Sequence, residues 1–392
     1  MDSSRGGVYL DHAATTPLRP GVVSAMLPFL TEHFGNPSGA HAVARAAKNA
    51  LEEAREQVAD VVGARPDEIV FTSGGTEADG LAVKGVARGA RDASLGDGVV
   101  VSAFEHPAVL ASADRLEVDG FRVTRVPVRR EGIVDVDALA DALDERTAVV
   151  SVMTVNNEIG TVQPLADVAI AVRERAPNAR FHTDAVQGAP WLDLARMAAV
   201  ADLVSISAHK IGGPKGSGAL VVRGGARVRP EADGGGQERG LRSGTVDVAA
   251  AVGLATALGL AAAERDDENI RIRALRDRLE RGLLERCPGS WSNGDPSWKV
   301  PGNVNVGFPG LDVQTLLVLL DGEGIAASAG SSCASGAIDP SPVLLAMGYD
   351  RHAARSSLRL TLGWSSSNAD VERALQVIPE AVERVRAVGA SR

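Results

Sequence analysis

Ser205-Ile206-Ser207-Ala208-His209-Lys210-Ile211-Gly212-Gly213-Pro214-Lys215-Gly216 places a lysine directly after Ser, Ala and His at the end of an apolar run, then follows it with glycines and a proline. Beside a buried strand an ammonium loses hydration, so the charged form of that lysine is disfavoured. A desolvated lysine becomes an amine nucleophile able to hold an aldehyde as a Schiff base. Ser207 and His209 carry side chains that can bind a phosphate. Taken alone, the segment reads either as a lysine for pyridoxal phosphate or as a glycine-rich surface turn.

Working outward, Asp202–Ile206 is one of several short apolar runs, with Val99–Val101 and Ala148–Val152, that alternate with helical patterns. That alternation predicts an α/β protein with a mostly parallel sheet. Ala42–Val62 has the periodicity of an amphipathic helix, and Glu68–Thr72 is a strand running into Ser73-Gly74-Gly75-Thr76 before a further helix. Gly218–Val222 is expected to return as an antiparallel neighbour. Val248–Arg286 reads as a long Ala, Leu and Arg-rich helical stretch, interrupted around Asp266-Asp267, that carries the chain into a second unit. That unit continues through a strand at Asn303–Val306, a helix at Leu311–Gly322 and a charged helix from Asn368 onward.

At 392 residues the chain is long enough for a large domain and a smaller one. A net charge of −9 and only 3% aromatic residues argue against nucleic acid as a direct partner. No apolar run reaches the length of a membrane span and the first residues lack a signal-peptide core, so a cytoplasmic enzyme is the expectation. Two cysteines, Cys287 and Cys333, exclude a disulfide framework and a cysteine-rich zinc site; no metal is expected.

Each other polar cluster has a plain and a functional reading. Ser73–Ala78 is an ordinary strand-to-helix turn or a phosphate cradle using Gly75 and Thr76. His106 is a loop histidine, or an imidazole that stacks on an aromatic ring and exchanges protons. Asn156-Asn157-Glu158 is a turn, or a pair of amides fixing a ring substituent. Asp184 is a helix N-cap, or the partner of a protonated ring nitrogen, with Gln187 within reach of a ring oxygen if the strand turns into a helix. Gly234–Thr245, with two arginines, is a solvated turn, or a loop contacting phosphate or bridging subunits. Cys333 stands among Gly, Ser and Ala, which suggests an accessible, reactive thiol, whereas Cys287 beside Pro288 reads as structural. Arg359 lies in the apolar run Ser357–Gly363; pointing inward it needs a carboxylate, which an amino-acid substrate would provide.

In this order, from Tyr9-Leu10-Asp11-His12-Ala13-Ala14-Thr15-Thr16-Pro17 to Arg359, these motifs resemble those of the cysteine desulfurases, pyridoxal-phosphate enzymes of the class V aminotransferase family, and most of all the branch that supplies sulfur for iron–sulfur clusters and tRNA thiolation. The resemblance implies fold type I: a large domain (17–262) with a mostly parallel mixed sheet sandwiched by helices, and a smaller α+β domain made of 1–16 and 263–392. It implies that Lys210 holds pyridoxal 5'-phosphate, Asp184 pairs with the ring nitrogen, Gln187 meets the ring hydroxyl and His106 stacks on the ring as part of the catalytic set. Gly75, Thr76, Ser207 and His209 would bind the phosphate. Asn157 would orient ring and substrate, Arg359 would clamp the carboxylate of L-cysteine, and Cys333 would accept the sulfur. Thr245 would reach the neighbouring subunit's phosphate, which implies a homodimer, and a scaffold or other acceptor protein would take the sulfur onward. A transaminase would have no use for Cys333, and a silent scaffold would be expected to lose Lys210 or Cys333. A selenocysteine lyase shares the pattern. Three positions depart from the family: Ala208 where glycine is usual, Ser332 where alanine is common, and Trp364 where relatives often carry a polar or basic residue.

Overall fold

Apolar runs and helices alternate from Ile69 to Val222, and in the computed structural model, which describes residues 7–330 and 340–389, they build a seven-stranded sheet. A two-residue strand β1 (Val8–Tyr9) precedes it, and the sheet contains β2 (Ile69–Thr72), β3 (Gly98–Ser102), β4 (Arg122–Val126), β5 (Thr147–Ser151), β6 (Arg180–Asp184), β7 (Leu203–Ser207) and β8 (Gly218–Val222). Their order is β2-β8-β7-β6-β5-β3-β4. β8 runs antiparallel to β2 and β7, as expected, and the other pairings are parallel. Consequently β2, β3, β5, β6 and β7 end on the same edge of the sheet, where open α/β folds place their ligands. β3, β5 and β7 are buried along their whole length because helices cover both faces. β4, at the edge, is largely exposed and carries two arginines that pair with surface carboxylates.

The second core is built from both ends of the chain. β9 (Trp291–Ser292), β10 (Asn303–Gly307) and β12 (Ser357–Thr361) form an antiparallel sheet in the order β12-β10-β9, while β11 (Ile325–Ala326) pairs in parallel with β1. Val8 and Leu10 pack there with Leu279, Val304, Phe308, Leu358 and Ile378. Cys287 is buried in this cluster, in keeping with its structural reading.

The helix Val248–Arg286 joins the two cores, and it runs without the break expected near Asp266-Asp267. The Asp266 side chain is 87% exposed beside Arg265 and so imposes no desolvation cost on a helix. Its apolar residues up to Ala261 belong to the large core and those from Ile272 onward to the second. The first half is apolar enough to cross a membrane by composition, yet Leu254, Ala257 and Leu258 are buried inside the protein.

Candidate active site

Five strand ends and the N-terminal turn meet in one cleft. Its walls include Gly75 and Thr76 after β2, His106 after β3, Asn157 after β5, Asp184 and Gln187 at the end of β6, and Ser207, His209 and Lys210 after β7. Ala13 and Ala14 close it from the N-terminal turn, and Gly330 and Arg359 from the second core. That turn is held by the Tyr9 hydroxyl donating to Thr15 O (2.8 Å) and by Thr16 Oγ1 donating to His209 O (2.9 Å).

Lys210 Nζ donates to the carbonyls of Ala13 (2.6 Å) and Ala14 (2.7 Å). Burial and then the nearby Arg359 guanidinium pull its ammonium down to about 8, against the attraction of Asp184 and Asp11. A substantial neutral fraction is thereby present near physiological pH.

Asp184 Oδ1 accepts from Val186 N (2.8 Å), a turn-closing bond with no helix behind it to cap, and the residue lines the cleft. The chain after Asp184 forms turns rather than a helix, and Gln187 Nε2 donates to Ala13 O (2.8 Å). Burial pushes the Asp184 carboxyl up, while His106 and Lys210 draw it back. His106 Nδ1 accepts from Ala108 N (3.2 Å), which caps the helix Pro107–Val118 and leaves Nε2 to carry the proton of the neutral ring. Burial lowers its pKa despite the attraction of Asp184.

Sequence reasoning missed a second carboxylate in the cleft. Asp79, 1% exposed, lies 3.6 Å from His182 Nε2, and its Oδ1 has no hydrogen-bond partner among the described residues. Burial, then Asp184, raises it well above the usual carboxylate range. His182 is held between Ser151 Oγ and Ser205 Oγ, at 2.9 Å each, and burial pulls its pKa down to about 3. Lys215 was missed as well: it borders the open mouth formed by Thr15, Gly74, Thr76, Ser207 and His209.

Arg359 does point inward, but the carboxylate it meets belongs to the protein: Nη2 donates to Asp11 Oδ1 (2.8 Å) and Nη1 to Asn157 O (3.1 Å). Its buried Nε has no partner among the described residues. Cys333 and Ser332 lie outside the described residues. Gly330, the last described position before them, lines the cleft with Lys210 and Arg359.

Residues 8–374 match the family model for aminotransferase class-V. The chain is 44% identical over 386 residues to "Cysteine desulfurase IscS" of Methanosarcina thermophila, covering 98% of this chain and 94% of that one. It is 45% identical over 394 residues to "IscS-like cysteine desulfurase" of Mycobacterium tuberculosis, covering 98% and 100%. This chain belongs to the cysteine desulfurases. A solved structure titled "NIFS-LIKE PROTEIN" superposes on it with a TM-score of 0.90 at 36% identity, covering 96% of this chain and 100% of the other, which bears out the type I α/β fold.

Two departures of this desulfurase from its family are taken up locally. The Ala208 methyl is fully buried, and glycine at 213 leaves room for it: a Cβ there would lie 2.8 Å from that of Ala208. Trp364 stacks under the Arg19 guanidinium (5.4 Å to the ring centre) and donates through Nε1 to Pro17 O (3.3 Å). The Gly234–Thr245 loop is not wholly solvated. Glu238 is buried against Arg55, with both Nη–Oε contacts at 2.8 Å, and accepts from Phe71 N (2.8 Å). Thr245 itself is exposed and does not line the cleft of its own protomer.

Proposed function

We propose that the chain converts L-cysteine to L-alanine using pyridoxal 5'-phosphate in this cleft, passing the sulfur to Cys333 as a persulfide. The observation that carries the reading is Lys210: a partly buried amine on the cleft wall, bonded among the described residues to carbonyl oxygens alone, between a buried aspartate and a group of phosphate-binding side chains. The donor set fits the cofactor. Thr76, Ser207 and His209 gather at one end, near the open mouth bordered by Lys215. Gly74 there has φ +144°, and a Cβ on Gly75 would lie 2.9 Å from Val186 Cγ2, so both positions favour glycine and leave bare backbone for an anion. At the other end Asp184 offers a carboxylate to a ring nitrogen, with His106 for the ring face, Gln187 for its hydroxyl and Asn157 alongside. Thr245 would serve the neighbouring subunit's phosphate.

Bound there, the cofactor supplies an electron sink for the substrate's Cα. Lys210, neutral in part near pH 8, takes the Cα proton. Arg359 binds the substrate carboxylate. The Cys333 thiolate then forms a bond to the substrate sulfur as the carbon–sulfur bond breaks. The bonding pair stays with carbon, which takes up the proton released by the thiol, so the products are alanine and Cys333–S–SH.

The two hydrophobic clusters, one ending at Ala261 and the other resuming at Ile272, support a division into a large domain, 17–262, and a small one, 1–16 with 263–392. Exposed Leu27, Leu30 and Phe34 support a homodimer. Delivery of sulfur to an acceptor or scaffold protein for iron–sulfur clusters or tRNA thiolation, in the cytoplasm, completes the reading. An L-cysteine assay that measures alanine and sulfide tests it. Cys333→Ser is expected to retain cofactor and cysteine binding but lose persulfide and sulfide release, and unchanged turnover in that variant would contradict the mechanism.

A further inference from the structure

Glu158 is 3% exposed and has no part in the chemistry above, yet it touches both ends of the segment that carries Cys333. On one side, its Oε2 accepts from Ser341 Oγ (2.5 Å), and the same hydroxyl accepts from Leu344 N (3.1 Å), capping the helix Pro342–Ala346. On the other side, Gly330 takes φ +92°, and a Cβ there would lie only 2.7 Å from Glu158 Oε2. The glycine backbone thus rests directly against the carboxylate, a placement that a larger residue would prevent.

The backbone of Glu158 is itself fixed. Asn156 Oδ1 accepts from Glu158 N (2.9 Å) and Ile159 N (3.2 Å). Glu158 O accepts from Asn305 Nδ2 (2.9 Å) and Asn303 Nδ2 (3.2 Å) of β10. Arg359 adds a further tie, with Nη1 donating to Asn157 O (3.1 Å) and more weakly to Gly330 O (3.5 Å). Covalent geometry gives these anchors their importance. Cys333 is three residues beyond Gly330 in the sequence, and three residues of chain span at most about 10 Å. Holding Gly330 therefore holds one end of the short tether to Cys333.

We propose that Glu158 is a positioning residue that clasps Gly330 and Ser341 to the Asn157 turn and so sets where Cys333 can reach. The proposal rests on the reading of Cys333 as sulfur acceptor. Its consequence is a separation of steps: cofactor retention and cysteine binding depend on the cleft walls, while sulfur transfer also depends on the clasp.

The test compares holoenzyme with Glu158→Ala, Glu158→Gln, Ser341→Ala and Cys333→Ser in a single turnover with L-cysteine. Cofactor occupancy and cysteine affinity are read from the visible spectrum, and Cys333 persulfide is read by mass spectrometry. Glu158→Ala and Ser341→Ala are expected to slow persulfide formation roughly 10- to 100-fold, as a displacement of about 1 Å would, while leaving occupancy and cysteine affinity near those of the parent. Glu158→Gln keeps an acceptor for Ser341 and is expected to restore most of the rate. An unchanged persulfide rate in both alanine variants overturns the proposal, and so does a loss that merely parallels cofactor occupancy. If Glu158→Ala does not fold, Ser341→Ala decides by the same criteria. Turnover in Cys333→Ser at the parent rate would instead show that the acceptor assignment had failed and the proposal with it.

Discussion

Lys210 and Lys299 occupy two comparable places, one on the cleft between the cores and the other inside the second core. Burial is the largest influence on both, and it lowers both ammonium groups below the ordinary lysine range. Their partners differ. Lys299 Nζ faces Glu280 Oε1 (3.2 Å) and Ser292 Oγ (3.1 Å), and its side chain is wholly enclosed. Among the described residues Lys210 Nζ is hydrogen-bonded only to two backbone carbonyls, with an open cleft before it. Burial alone therefore does not make a nucleophile. At Lys299 a hydrogen-bonded carboxylate works against the desolvation, whereas Lys210 has no carboxylate in direct contact among the described residues and can lose its proton and meet an aldehyde.

The two lysines should differ most when each is removed. Lys210→Ala is expected to lose the cofactor's visible absorption and to reduce desulfuration by roughly 1000-fold or more, as loss of a covalent catalytic group does.

The pH dependence of cofactor capture is the next largest effect. Below about pH 7 most of the Lys210 amine is protonated, and its neutral, nucleophilic fraction falls about tenfold for each further unit of pH. The rate at which apoprotein takes up pyridoxal phosphate should rise with pH, reach half its maximum near 8 and level off about a unit above it, followed by stopped-flow absorbance. A profile that keeps rising toward the ordinary lysine value would mean that Lys210 is not desolvated in solution.

Lys299→Ala should leave activity and absorption nearly unaltered. Its effect is on stability, about 2–4 kcal/mol in a urea melt, because Glu280 loses its buried counter-charge.

Much of the site was legible because its chemistry sits at strand ends, where local pattern and position coincide. The run into Ser207-Ala208-His209-Lys210, the turn at Gly74-Gly75-Thr76 and Asp184 at the end of β6 all stand where the sequence placed them. Pairings between distant residues were not legible. Asp11 meets Arg359 from 348 positions away, and Glu238 meets Arg55 across 183, and no local spacing encodes either contact. Asp79 was hidden differently, since one acidic residue in a short helix looks like a solvated one until the packing of β6 and β7 encloses it. The helix Val248–Arg286 shows the reverse error: an exposed acidic pair looks like a break, although helices tolerate charge wherever water reaches them.

The chain contains five lysines, Lys48, Lys84, Lys210, Lys215 and Lys299, so the point of cofactor attachment can be read directly. Holoenzyme is reduced with borohydride, digested and mapped by mass spectrometry for the cofactor adduct. The mass is expected on the peptide containing Lys210, with Lys299 and the other three unmodified. A stable adduct on any of those four, or none on Lys210 in protein that carries the cofactor's absorption, would contradict the assignment.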